Sequence, residues 1–109
     1  MVTSLCIYRV KKGSEKAFRG LLAKHWPTLK RVGLGANVPS TIFQGKEDDG
    51  GPIFVELLNW KDDEGPNRAH ELPDVMAVWE PMGKLCEERK GRPAMEFPRV
   101  ARVEIDFER

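Results

Sequence analysis

PIFVELLNWK, residues 52–61, carries apolar side chains on both parities. Ile53, Val55 and Leu57 alternate with Phe54, Leu58 and Trp60 in a run rich in β-branched and aromatic residues. A strand of that kind is buried on both faces, so it belongs inside a sheet rather than at its edge. Its flanks bound it. EDDGG, 47–51, is a hairpin connection to a short strand in PSTIFQGK, 39–46, and DDEGPN, 62–67, breaks the pattern on the far side.

Working outward, VTSLCIYRV, 2–10, is nearly as two-sided, with Cys6, Tyr8 and Val10 against Leu5 and Ile7. It stops at Lys11, Lys12 and Gly13, after which Ser14 is a good N-cap and Glu15 suits a first helical turn. Phe18, Leu21, Leu22, His25, Leu29 and Val32 recur at helical spacing, interrupted by Pro27 and closed by Gly33 and Gly35. Beyond the central strand a short helix is expected around Arg68 to Leu72. In RAHELPDVMAVWEP, 68–81, Pro73 and Asp74 then open a longer one, with Val75, Val78, Trp79, Met82, Leu85 and Cys86 on one face. Gly91 is its expected cap after a charged exit. Finally AMEFPRVARVEIDF, 94–107, alternates Met95, Phe97, Ala101, Val103, Ile105 and Phe107 with Glu96, Arg102, Glu104 and Asp106. That is a strand with one wet face, and Pro98 suits an edge or a bulge.

The order β-α-β-β-α-β implies an α+β, ferredoxin-like domain: a four-stranded antiparallel sheet, both helices on one face, strands one and three central. Two helices leave the opposite face uncovered. Burying each exposed Val, Leu or Ile there is worth about 1.5–3 kcal/mol, so a second copy packed sheet to sheet is expected, giving a homodimer.

The 109 residues are read as a single domain, 1–109. A formal net charge of +1 gives no footprint for nucleic acid or an anionic membrane, and no apolar run is long enough for a bilayer span. The start lacks a signal peptide's long apolar region. Cys6 and Cys86 are too few for a disulfide framework and read as reduced, buried thiols, which places the protein in the cytoplasm. There is no metal-ligand spacing, phosphate-binding glycine loop or Ser-His-Asp arrangement, so neither a metal nor a cofactor is expected.

The stretch FVELLNWKDDEGPNRAHELPDVMAVW, 54–79, resembles the third strand and following helix of the dimeric α+β barrel superfamily. More narrowly, it is similar to the antibiotic-biosynthesis-monooxygenase-like domains. Trp60 matches the aromatic that ends their third strand, Asp62 and Asp63 the acidic turn, and Ala69 with His70 the Ala-His pair of the next helix. The resemblance implies a pocket between helices and sheet. It also implies a cofactor-independent monooxygenase acting on a small aromatic or readily deprotonated hydrophobic substrate. The haem-degrading relatives place an asparagine on strand one and a histidine ligand near the position of Glu80; Cys6, Tyr8 and Glu80 itself stand here, which disfavours haem. The spacing from Glu56 to Trp60 also departs from the commoner pattern.

Deprotonation near neutral pH calls for an imidazole. His70 is the first candidate for the base or its hydrogen-bonding partner, and His25 the alternative, although a histidine on an apolar helix stripe equally fits a satisfied core position. Tyr8, Trp60, Trp79, Trp26 and Glu56 are candidate substrate-binding residues; for the tryptophans, plain packing is the competing account. Glu56 and Asn59 have opposite parity, so at most one faces the helices. A non-catalytic, stress-associated or small-molecule-binding dimer fits the same residues. An RNA-recognition module does not, because IFVELLNW lacks the basic-glycine-aromatic run that such a strand requires.

Overall fold

A computed structural model describes residues 1–108. Its strands are β1 (Val2–Arg9), β2 (Thr41–Lys46), β3 (Pro52–Trp60), β4 (Met95–Glu96) and β5 (Arg99–Val100). Its helices are α1 (Glu15–Arg31), α2 (Gly65–Ala69) and α3 (Pro73–Lys84). The sheet runs β2-β3-β1-β4, all antiparallel, with β5 also on β1, so β1 and β3 are central as the two-sided hydrophobicity requires. The α+β ferredoxin-like arrangement holds.

Alternation along the central strands sorts two surfaces. Ser4, Cys6 and Tyr8 of β1 join Phe54, Glu56, Leu58 and Trp60 of β3 beneath α1 and α3, where Phe18, Leu22, Leu29, Val75, Val78 and Met82 complete the core. Leu5, Ile7, Ile53, Val55 and Leu57 occupy the other surface and stay half-buried. α1 passes through Pro27 unbroken. Ser14 stands at its N-cap, but its hydroxyl makes no capping bond; the Glu15 carboxylate accepts the Gly13 N–H instead.

Three expectations need correction. The final strand was expected over 94–107, yet it is two short segments separated by Phe97 and Pro98, and pairing ends at Val100. The Pro98 carbonyl still accepts the Leu5 N–H at 2.8 Å, and the register runs unchanged from Glu96 opposite Ile7 to Arg99 opposite Ser4, so β4 and β5 are one edge interrupted at Pro98, which has no N–H to donate. The short helix after β3 covers Gly65–Ala69 rather than 68–72. Pro66 supplies its fixed first turn, and Gly65 is required because a Cβ there would meet the Trp60 ring at 2.6 Å. Gly91 does not cap α3, which stops at Lys84. The chain instead returns beside β1, where Cys86 bridges Val10, and reverses at Lys90 and Gly91, both with positive φ. Ion pairs explain that detour. Glu47 collects Arg9, Arg89 and Arg92, while Arg89 also donates to the carbonyls of Val10 and Pro52.

Candidate active site

Among the described residues, Glu56 is the one acidic side chain in the core, and it is fully buried. Its parity on β3 aims it at the helices, and Asn59 points the other way to accept the Thr3 hydroxyl at 2.7 Å. A buried carboxylate needs donors, and two reach it. The Tyr8 hydroxyl donates to Glu56 Oε1 at 2.6 Å from β1, and His25 Nδ1 meets Oε1 and Oε2 at 2.9 and 3.2 Å from α1. On the other side of the imidazole, the Trp79 indole N–H donates to His25 Nε2 at 2.9 Å. Accepting there requires a free lone pair on Nε2. The ring is therefore the neutral Nδ1–H tautomer, its N–H directed at Glu56. The four residues form one chain, Tyr8–Glu56–His25–Trp79, drawn from β1, β3, α1 and α3.

The electrostatics follow the geometry. Burial pushes the Glu56 carboxyl up, but the hydrogen bond from His25, joined by that of Tyr8, outweighs it and leaves the group below its ordinary value. Burial, reinforced by the Glu56 charge, holds the Tyr8 phenol well above its usual value, so it stays a neutral donor. The same two causes push the Cys6 thiol up to about 12, and burial pushes Cys86 up to about 11. Both thiols remain protonated and unreactive at neutral pH.

His25 opens onto a cavity of about 430 Å³ between the helices and the β1 side of the sheet. Trp60, Trp79 and Leu58 form apolar walls with Met76, Met82 and Met95, while Phe97 and Arg99 add the edge strand's contribution. Trp60 is fixed by its indole N–H, which donates to the Ser4 hydroxyl at 3.1 Å. His70 is exposed at the mouth, and its ring packs edge-on against Trp79 with centroids 4.9 Å apart. Trp26 lies outside the cavity lining; its N–H donates to the Ala36 carbonyl at 2.9 Å. Glu56 does not line the cavity but stands behind His25.

The structure thus joins His25, Glu56, Tyr8 and Trp79, adds Trp60 and His70 as lining, and leaves Trp26 apart. Sequence reasoning named every member of the chain but missed its connectivity. The available signal was a carboxylate on the helix-facing parity of β3 together with a histidine on the stripe of α1. Met82, Met95 and Phe97 were missed as lining, having been read only as helix-face or strand residues, and Arg99 was not singled out at all. Among the described residues, no group of three or more His, Cys, Asp or Glu could hold a metal ion, and no helix is long and apolar enough to cross a membrane.

No protein-family profile matches the chain, and no curated protein matches it in sequence. Solved structures do match its shape. The cofactor-independent oxygenase SnoaB from Streptomyces nogalater superposes with a TM-score of 0.65 at 15% identity, covering 95% of this chain and 94% of that one. A Nitrosomonas europaea protein ascribed to the antibiotic biosynthesis monooxygenases gives 0.68 at 13% identity over 95% and 100%. The fold is that of the antibiotic-biosynthesis-monooxygenase-like proteins. At such identities the likeness concerns fold and carries no residue roles. A NIPSNAP domain protein from Burkholderia xenovorans has the same shape too, with a TM-score of 0.58 at 12% identity over 99% and 100%.

Proposed function

We propose that the protein is a cofactor-independent monooxygenase-like enzyme for a small aromatic or readily deprotonated hydrophobic substrate, with His25 as its base. The observation that carries this reading is the buried Glu56–His25 pair at the wall of an apolar cavity. A carboxylate on Nδ1 fixes the tautomer, leaves Nε2 basic toward the cavity, and stabilises the imidazolium that forms when Nε2 takes a proton. Trp79 is only half-buried, so its indole can yield Nε2 to a substrate that enters beside it. Tyr8 holds Glu56 from behind, and Trp60 with the methionines excludes water. His70 guards the mouth and braces Trp79.

His25 takes a proton from a carbon flanked by an aromatic ring and a carbonyl or phenol. The resulting carbanion gives an electron to dioxygen, and the two radicals combine as a peroxide on that carbon. The peroxide regains the proton from His25 and loses water. A methylene becomes a carbonyl, one oxygen atom stays in the product, the other leaves as water, and no external reductant is consumed.

In an oxygen-uptake assay with anthrone- and naphthol-type substrates, His25→Ala should lower the rate about 10²–10⁴-fold while the fold persists. Uptake unchanged by that substitution removes His25 from the mechanism. A second reading, a non-catalytic binding protein, draws on Trp79 already filling the only outward lone pair of His25. Thermal shifts with those aromatics but no oxygen uptake from the wild type would favour it. In either reading the working unit is a homodimer, a second copy covering Leu5, Ile7, Ile53, Val55 and Leu57.

A further inference from the structure

One end of the cavity carries two polar side chains that the base chemistry leaves unused. Ser4 on β1 stands directly opposite Arg99 on β5, so the two project from the same face of the sheet, and both line the cavity. Ser4 is 5% exposed, and its oxygen accepts the Trp60 indole N–H at 3.1 Å. Among the described residues no acceptor meets the proton of that hydroxyl. A buried donor left without an acceptor is a cost that a ligand oxygen would remove. Arg99 is equally unspent. Of the five N–H groups on a guanidinium, a single one is taken, where Nη2 donates to the Asp63 carbonyl at 3.3 Å. The Asp63 carboxylate stays 3.7 Å from Nη1, beyond the roughly 2.7–2.9 Å of a charge-assisted bond. In an otherwise apolar cavity, donors outnumber acceptors at this end.

Register also relates this end to the base. Cys6 lies opposite Glu56, the carboxylate behind His25, and Ser4 is two residues further along the same strand. Two strand residues advance about 6.8 Å, the reach of one aromatic ring with a substituent at each end. We infer that Ser4 and Arg99 form a carboxylate subsite, so that the substrate is an aromatic carboxylic acid. Its carboxylate sits between the serine hydroxyl and the guanidinium, and its reacting carbon lies at His25. The inference rests on the reading of the cavity as a substrate site and narrows the substrate that it takes. Charge sets the class of anion. Arg99 supplies one positive charge, is half exposed and stands beside Asp63, while the lining's one carboxylate, Glu80, comes from α3. That balance suits a single negative charge and disfavours a dianion such as a phosphate monoester. A neutral carbonyl would use the serine alone and leave the guanidinium idle.

The test measures binding, which needs no turnover, by titration calorimetry at pH 7 with 2-naphthoic acid and its uncharged amide. The wild type should bind the acid roughly 10-fold or more tightly than the amide. Raising the salt concentration should weaken the acid alone, because Arg99 is open to solvent. Arg99→Gln should erase the preference and leave the affinity for the amide within about twofold; the side chain is exposed, so the exchange spares the fold. Ser4→Ala should also reduce the preference, with the amide again reporting whether the cavity survives. Equal binding of acid and amide by the wild type overturns the subsite and leaves the cavity's reading as a substrate site standing. A preference that persists in Arg99→Gln overturns it too, as does a variant that loses both ligands alike. A wild type that binds neither ligand overturns the subsite and removes the support for an aromatic substrate with it.

Discussion

Leu57 and Leu58 are neighbours on β3, and their surroundings differ completely. Leu58 is 1% exposed beneath the helices, whereas Leu57 is half-buried on the open face. The helix-covered surface therefore holds a finished core with a polar chain threaded through it, while the open surface is apolar without being covered. What separates them is partners rather than composition. Chemistry needs the finished side, where a carboxylate can be kept dry and fully hydrogen-bonded; the unfinished one is the face the proposed dimer would cover.

The largest expected effect breaks the finished side. Glu56→Ala leaves the Tyr8 hydroxyl and the His25 N–H without an acceptor in the core, and should lower the unfolding free energy by about 3–5 kcal/mol in urea denaturation. A loss below about 1 kcal/mol would mean that water already reaches the carboxylate. The adjacent leucines come next. Leu58→Ala should cost about 2–5 kcal/mol at any protein concentration. Leu57→Ala should cost less in the separated chain, and its loss should grow with concentration as the proposed dimer weighs in. Equal, concentration-independent losses would erase the distinction between the two faces.

A smaller effect probes the polar chain itself. Tyr8→Phe removes one donor from a charged acceptor and should cost about 1.5–3 kcal/mol. The Glu56 pKa is depressed below its ordinary 4.5 in the folded protein. Its stabilising contribution is therefore fully present above that value and lost as pH falls through the depressed one. The melting temperature of the wild type should drop in that acid window, and Glu56→Gln should flatten the drop. A parallel acid profile for the variant would show that Glu56 is not the group responsible.

Much of this was legible in the residues, and the physical reason is periodicity. Two-sided β1 and β3, the stripe of α1 and the face of α3 are local patterns that burial enforces, so the topology could be read before any contact was known. Two failures share a cause. The end of α3 and the strand expected over 94–107 were decided by distant partners: Glu47 with its arginines in one case, the end of β1 in the other. The site divides the same way. Local resemblance drew attention to His70, which sits at the mouth, while the hydrogen-bonded histidine, His25, meets its carboxylate across 31 positions of sequence. Parity reduced Glu56 and Asn59 to one helix-facing residue; choosing between them required knowing which parity of β3 lay beneath α1.

The smallest expected effect comes from the other ion pair on α1. Arg31 meets Asp74 at 3.0 Å and so ties α1 to α3, as His25 and Trp79 do two turns earlier. Its distance is close to that of the Glu56–His25 contact, yet both of its side chains are more than half exposed. Water and salt screen it, and ordering two long side chains offsets most of its attraction, so Arg31→Ala should cost below about 1 kcal/mol and less still at high salt. The same salt should leave the loss from Glu56→Ala nearly unchanged, because no ions reach that carboxylate. If Arg31→Ala proved as damaging as Glu56→Ala, distance rather than burial would govern these contacts, and the dry side of the sheet would lose its claim to be where the chemistry is held.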